Sequence, residues 1–519
     1  MTNRNAGPVT IGFVVSATGE AGELTLRARP APGTPSVTRL VTVTSGHIQL
    51  TYRGQATGAA ADPGPTCPPP PATVPEPMAS RGQWGAPFAW PVVAVHLHVL
   101  ADGRVLSWGR IGDPQLWDPA SGLFTSVPTE TAVFCAGHAF LPDGRLLVAG
   151  GHLSDNHGLS AANLFDGRSA QWTRIASMTH ARWYPTAITL ADGRVLVLAG
   201  QDENGAHVAE PEVWDGERWG VLAGAAEVLP LYPRAFVAPN GLVFYAGELA
   251  QSAYLDPAGA GSWTPVATSR YGRRDYGTAV MYRPGEVLIA GGSDPPDGPP
   301  TASAEVIDLN AAAPSWSYTA PMSTPRRHLD ATVLPDGRVA VTGGTSSAGF
   351  SDAAGGVHAV EVWDPATGAW TTWAENAVTR VYHGTTVLLP DGRLLHAGSG
   401  DGGNLPREVS AELFTPPYLL RGPRPVVVAA PDDLPYGASV QIGSPDAGRV
   451  TGVSLVRLPS VTHAFDQNQR YVPLAFVRSA GGIRIDGPPS GAIAPPGPYM
   501  LFLVDADGVP SLAHMVRVG

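Results

Sequence analysis

Six side chains able to bind a metal or carry an unpaired electron recur at one fixed place in the chain. Eight residues before each of seven turn positions (Asp102, Asp143, Asp192, Asn240, Pro284, Asp336 and Asp391) stand Ala94, Cys135, Tyr184, Tyr232, Tyr276, His328 and His383, and Tyr382 immediately precedes the last. A thiol, three phenols and two imidazoles at one register are more than packing selects. Imidazole nitrogens with phenolate oxygens suit a redox-active Cu(II) or Fe(III), whereas structural zinc favours thiolates or more histidines. Of the two redox metals, copper is the preferred expectation.

The elements that must position these residues are read from the turns. Asp-Gly and Asn-Gly supply the positive φ angles of two-residue hairpins, so each marks a pair of antiparallel strands. The second strand of each pair ends in Gly-Gly or Ala-Gly, and a third follows, as at Leu116-Trp117-Asp118, Val213-Trp214-Asp215 and Val362-Trp363-Asp364. Successive turns lie 41, 49, 48, 44, 52 and 55 residues apart, the period of a kelch-type β-propeller blade. Seven turns predict seven blades over 80–415. The first strand of each blade lines the central channel, so one register becomes one ring of side chains around the axis.

The fold class expected is therefore all-β. Alternating strands before residue 62 predict a small N-terminal β module over 1–62, and Pro68–Pro71 predict a stiff extended linker over 63–79 that contains Cys67. After Phe414-Thr415-Pro416-Pro417-Tyr418-Leu419 the period stops, and short strands with Pro/Gly turns predict an Ig-like β-sandwich over 416–519.

Composition removes several classes of function. The 62 Gly and 52 Pro exclude a helical protein. A net charge of -11 has the wrong sign for a nucleic-acid or anionic-lipid partner. All 33 basic residues are Arg, which excludes Schiff-base lysines and the phosphate-binding lysine of P-loops. Two cysteines make no disulfide framework. No run of about 18 apolar residues predicts a membrane span. Met1–Pro8 lacks the apolar stretch of a secretory signal, which predicts either a mature chain or one not exported by that route.

Over the predicted propeller and sandwich, the sequence resembles the galactose oxidase and glyoxal oxidase family of copper-radical oxidases. The segments that carry the resemblance are Phe134-Cys135-Ala136-Gly137, Ala181-Arg182-Trp183-Tyr184-Pro185, Arg380-Val381-Tyr382-His383 with Leu388–Arg393, Ser460-Val461-Thr462-His463 with Asp466–Arg470, and Thr415–Leu419. The Arg-Trp-Tyr-Pro form is that of the glyoxal oxidases. The resemblance implies one copper ion per chain held by Tyr184, Tyr382, His383 and His463, with Cys135 joined to Tyr184 by a thioether. It implies Tyr184 as the radical, Tyr382 as the base, and His463 brought to copper by a hairpin threading into the channel. The reaction implied is oxidation of a primary alcohol or aldehyde, small or carbohydrate, with dioxygen reduced to hydrogen peroxide. A monomer is expected, and the family points to an extracellular setting.

One departure bears on the radical. Asp202 stands where galactose oxidase stacks a tryptophan on the crosslinked tyrosine. Trp183 is the candidate to shield the radical instead, the alternative being that it packs between blades. Tyr232, Arg234, Tyr276, Arg327 and His328 are the expected substrate-binding residues, with Arg273 and Arg274 flanking the ring; the alternative for each arginine is a salt bridge. His96 and His98 are expected to pack between blades. The rival to the enzyme is a non-catalytic kelch scaffold binding protein or glycan, which has no need of the combined Cys135, Tyr184, Tyr382, His383 and His463 set.

Overall fold

The computed structural model describes residues 9–15, 21–26, 48–52 and 76–519, which belong to two compact units, 1–73 and 74–519. In the first unit Val9–Val15 pairs antiparallel with both Ala21–Leu26 and Ile48–Tyr52. Val41–Val43 of the expected N-terminal module, the proline run and Cys67 lie outside the described residues. The end of the stretch expected to be extended linker is instead an α-helix, Glu76–Arg81. Pro77 is tolerated there because the first helical turn has no intrahelical acceptor for its missing N–H. Gly82, at φ 70°, ends the helix with its N–H on the Met78 carbonyl.

Seven antiparallel sheets follow, each built around one of the predicted hairpins; five have four strands, and those of the first and last blades are extended to six and five by strands from elsewhere in the chain. Their innermost strands are His96–Val99, Gly137–Phe140, Thr186–Thr189, Arg234–Val237, Thr278–Arg283, Asp330–Val333 and Gly384–Leu388. Six blades are made of consecutive strands. The seventh takes its outer strand from Gln83–Trp84, which pairs antiparallel with Ser410–Thr415, so residues preceding the first blade complete the last. The Asp-Gly-Arg turns are fixed locally: in each, the Asp carboxylate accepts the Arg N–H two residues on, at 3.0–3.2 Å, with Gly at φ between 83° and 88°. Apolar faces of neighbouring sheets bury one another, as Ile188 and Leu196 of blade 3 do with Ala235 and Val243 of blade 4, each large aliphatic side chain contributing about 1.5–3 kcal/mol.

A second repeat anchors the loop that enters the inner strand in four of the blades. Arg182, Arg274, Arg326 and Arg380 are buried and paired with Glu212, Glu305, Glu361 and Glu412 of the third strand, at 2.6–3.2 Å. The carboxylates also accept backbone N–H groups of the preceding loop, such as Thr179 and His180 on Glu212. Removing one partner of such a pair costs about 3–5 kcal/mol, because the other charge stays buried. The arginine stands two residues before the ring residue in blades 3, 5 and 6 but three before it in blade 7. The extra residue there is Tyr382, so one blade delivers two donors to the axis.

Residues 433–518 form a five-stranded and a three-stranded sheet facing each other over a core that includes Leu434, Ile442, Val453, Leu455, Ile483, Leu501 and Val516. From this sandwich a hairpin enters the propeller. Ser460–Thr462 pairs antiparallel with the inner strand of blade 1, Thr462 opposite His96, and turns back through Phe465–Asp466. The following amides satisfy the unpaired edges of other inner strands, edges that otherwise cost desolvation with no compensating bond. Gln467 Oε1 accepts the His138 and Ala187 N–H groups at 3.1 and 3.0 Å. Asn468 bonds Phe140 and His138, and Gln469 bonds Val333 and Ala331. Arg470 bonds the Val237 carbonyl. The hairpin is thus held by blades 1, 2, 3, 4 and 6.

Candidate metal centre

Six of the seven ring residues share one unusual backbone conformation. Cys135, Tyr184, Tyr232, Tyr276, His328 and His383 have φ between 48° and 69°, and so does His463 at the hairpin tip, at 48°. This left-handed region costs an L-residue on the order of 1–2 kcal/mol, and it persists because main-chain bonds run from one blade to the next. The Tyr184 N–H donates to the Cys135 carbonyl, Tyr232 to Tyr184, and His328 to Tyr276, each at 2.9 Å. Each kink turns its side chain toward the axis before the strand begins.

Four donor atoms converge there. The Oη atoms of Tyr184 and Tyr382 are 2.5 Å apart, His463 Nε2 is 2.8 Å from Tyr184 Oη, and the Nε2 atoms of His383 and His463 are 2.9 Å apart. The tautomers follow from the remaining ring nitrogens. His383 Nδ1 lies 2.6 Å from the Gly400 carbonyl, which can only accept, so Nδ1 carries the proton. Thr462 Oγ1 donates to the Val95 carbonyl at 2.9 Å and therefore accepts from His463 Nδ1 at 2.6 Å. Both Nε2 atoms are then bare, and they face each other. The Tyr184 hydroxyl can satisfy one of them; the other lone pair meets only a lone pair. A cation among the four atoms removes that conflict, so the residues fit a metal ion. Among the described residues no group of three or more His, Cys, Asp or Glu side chains forms such a site, consistent with a donor set that is half phenol.

Burial pushes both phenols up and both imidazoles down, His383 to about 3. With no positive charge between them all four are neutral; phenolate at this place requires a cation. Burial likewise pushes the Cys135 thiol up, opposed by a side-chain hydrogen bond with Tyr184, with which it shares one apolar cluster. His96 does more than pack: its Nε2 accepts the Cys135 N–H at 3.1 Å, and its Nδ1 joins His138, Ser460 and His98 in a fully buried chain of hydrogen bonds. Trp183 lies on Tyr184, ring centroids 3.5 Å apart and planes at 12°, and its indole N–H donates to His152 Nδ1 at 3.2 Å. Asp202 is spent on its own turn, accepting the Asn204 and Ala206 N–H groups.

The rest of the ring divides. Tyr232, Arg234 and Tyr276 line a cavity of about 220 Å³ that also touches Tyr184 and His463. Arg327 and His328 stand outside that lining: Arg327 is tied to Asp275 and Asp297, and His328 Nε2 donates to the Phe350 carbonyl at 2.6 Å. Arg274 belongs to the buried pair with Glu305.

The family model described as "Glyoxal oxidase N-terminus" matches residues 113–418, and "Galactose oxidase-like, Early set domain" matches 424–518. The chain belongs to the glyoxal oxidase family. Galactose oxidase of Gibberella zeae is 28% identical over 86% of this chain and 72% of its own length. The aldehyde oxidase GLOX of Vitis pseudoreticulata is 28% identical over 75% of this chain and 82% of its own. A solved fungal alcohol oxidase in complex with copper superposes with a TM-score of 0.78 at 26% identity, covering 85% of this chain and all of that one.

Sequence reasoning passed over some residues of this glyoxal oxidase family site. The amides of Gln467, Asn468 and Gln469 were legible only as part of a resemblance, because their partners are backbone groups of other blades. Glu248, Asp275 and His207 also line the cavity. Glu248 follows Ala246-Gly247 at the position where a second glycine closes other blades, a signal that was available.

Proposed function

We propose that this chain is a copper-radical oxidase that converts a primary alcohol or hydrated aldehyde to the next oxidation level while dioxygen becomes hydrogen peroxide. The observation that carries the reading is the pair of bare imidazole nitrogens facing each other 2.9 Å apart with two phenol oxygens alongside. The four residues that would hold the metal are Tyr184, Tyr382, His383 and His463. Copper, when bound, supplies Lewis acidity and takes up one of the two electrons. The protein must supply the second one-electron site, and Tyr184 is suited to it. A thioether to Cys135, formed with loss of two hydrogens to dioxygen, would make its ring easier to oxidise, and the stacked Trp183 covers one face of it.

Tyr382 is assigned the hydroxyl proton of the substrate, because its Oη lies 2.5 Å from Tyr184 Oη at the edge of the donor set. His383 and His463 are oriented by Gly400 and Thr462 and move no proton. Tyr232, Arg234 and Tyr276 face the cavity where substrate would lie. Loading purified protein with copper and measuring peroxide release over a panel of primary alcohols and aldehydes tests the reading. Release that depends on copper supports it; stoichiometric copper with no peroxide from any member overturns it.

A further inference from the structure

The cavity beside Tyr184 and His463 has one charged wall, and its charges alternate. Arg234 NH1 is 3.8 Å from Glu248 Oε2, and Glu248 Oε1 receives Arg273 Nε at 2.8 Å. Arg273 reaches Asp275 Oδ1 at 4.0 Å, Asp275 Oδ2 is bound by Arg327, and Arg327 NH1 reaches Asp297 Oδ1 at 2.9 Å. Three guanidinium groups alternate with three carboxylates; Arg234, Glu248, Arg273 and Asp275 line the cavity, and Arg327 and Asp297 continue the alternation outside its lining. Arg234 NH1 and NH2 also donate to the carbonyls of Tyr232 and Gly277, at 3.0 and 2.8 Å, while its buried Nε has no partner. Each arginine of this wall has a carboxylate against it, so none carries an uncompensated charge. The carboxylates are less committed: among the described residues neither Glu248 Oε2 nor Asp275 Oδ1 makes a hydrogen bond, only the long contacts at 3.8 and 4.0 Å.

This arrangement treats neutral and anionic molecules differently. A substrate hydroxyl can donate to Glu248 Oε2 or Asp275 Oδ1, charge-assisted bonds stronger than neutral ones. A substrate carboxylate must give up its water, find every guanidinium already paired, and approach two buried negative groups, which disfavours it strongly. We infer that the cavity selects neutral, hydroxyl-bearing substrates and excludes those carrying a carboxylate, with Glu248 as the specificity-determining residue. The inference rests on the oxidase reading for its substrates, and on the wall alone for its selectivity.

The test compares two molecules of the same size, glycolaldehyde and glyoxylate, on copper-loaded protein. Wild type should favour glycolaldehyde by about 100-fold in kcat/KM, and Glu248→Gln, which keeps the shape and removes the charge, should cut that preference by about tenfold or more. Asp275→Asn should move it in the same direction and serves if Glu248→Gln does not fold. A second readout needs neither copper nor turnover: calorimetric titration of copper-free protein with glyoxylate should give binding about tenfold tighter in the variant than in wild type. Equal kcat/KM for the two compounds in wild type, or a preference unchanged within about twofold in both variants, overturns the inference and leaves the oxidase reading standing. If copper-loaded wild type oxidises neither compound nor any other alcohol or aldehyde, the oxidase reading fails and the copper-free titration alone decides: tighter glyoxylate binding by the variant supports the inference, and equal binding sinks it.

Discussion

The two halves of the ring have the same register and the same left-handed backbone, and their side chains do different things. In blades 4 and 6 the polar atoms are satisfied within the protein: Tyr232 Oη donates to the Ala136 carbonyl at 3.0 Å and His328 Nε2 to the Phe350 carbonyl at 2.6 Å. In blades 3 and 7, with the hairpin tip between them, the Oη atoms of Tyr184 and Tyr382 and the Nε2 atoms of His383 and His463 bond one another and no main-chain group, and one imidazole lone pair finds no donor. Register alone therefore places a side chain at the axis without giving it a task. What separates the four from Tyr232 and His328 is that the atoms they bring to the axis have no main-chain partner.

The largest effect that would break this comparison comes from the unsatisfied half. His383→Ala or His463→Ala should abolish copper retention, measured by metal analysis after dialysis, and lower turnover by about a thousandfold or more. His328→Ala should keep one copper per chain. If His328→Ala lost the metal and His383→Ala kept it, the halves have been assigned the wrong way round.

Next in size is the stacked indole. Trp183→Phe should shorten the lifetime of the oxidised tyrosine by about tenfold, a barrier change near 1.4 kcal/mol, followed by its optical and electron paramagnetic resonance decay. His152→Ala, which removes only the indole acceptor, should do the same to a smaller degree. An unchanged decay in Trp183→Phe would leave Trp183 as packing between blades.

Smaller effects test what holds the halves in register. Asn468→Ala removes two bonds to the inner strand of blade 2 and should cost about 1–3 kcal/mol of stability, seen as a lower Tm. Asp330, on the inner strand of blade 6, is buried with no partner for Oδ1, and burial followed by the Asp466 charge pushes its carboxyl well above the ordinary range. Its folded pKa is raised, so the unfolded chain ionises first, and wild-type stability should fall as pH rises above the unfolded carboxyl pKa. Asp330→Asn should remove that loss: the variant should gain most over wild type near neutral pH and converge with it in acid. A difference independent of pH would mean that the Asp330 carboxyl titrates alike in the folded and the unfolded chain.

Much of this was legible in the sequence because the blade repeats. Turn residues at a steady period fixed the hairpins, and an offset of eight from each turn picked out every ring residue that the structure turns toward the axis. Trp183 was legible as a candidate only, since a residue beside a ring position can stack either inward or between blades. What stayed hidden is carried by contacts without a period. His463 lies far from the repeat and was legible only through the family resemblance; the pairing of Thr462 with His96 is what brings it in. The amides of Gln467–Gln469 answer unpaired backbone atoms, which leave no trace in side-chain patterns. The wall of Glu248, Arg273 and Asp275 comes from loops of different blades, so its alternation of charge exists only in space. The helix at Glu76–Arg81 was masked by neighbouring prolines, one of which occupies the first turn that tolerates it.

The joining of Cys135 to Tyr184 tests the account most directly. Trypsin should place the two residues in separate peptides, Ile111–Arg145 and Trp183–Arg194. After copper and dioxygen, mass spectrometry should find these two peptides as one species, lighter than their sum by two hydrogen atoms, and the same treatment of His463→Ala should leave them apart. Wild-type protein that holds stoichiometric copper and still yields both peptides separate and unmodified would contradict it.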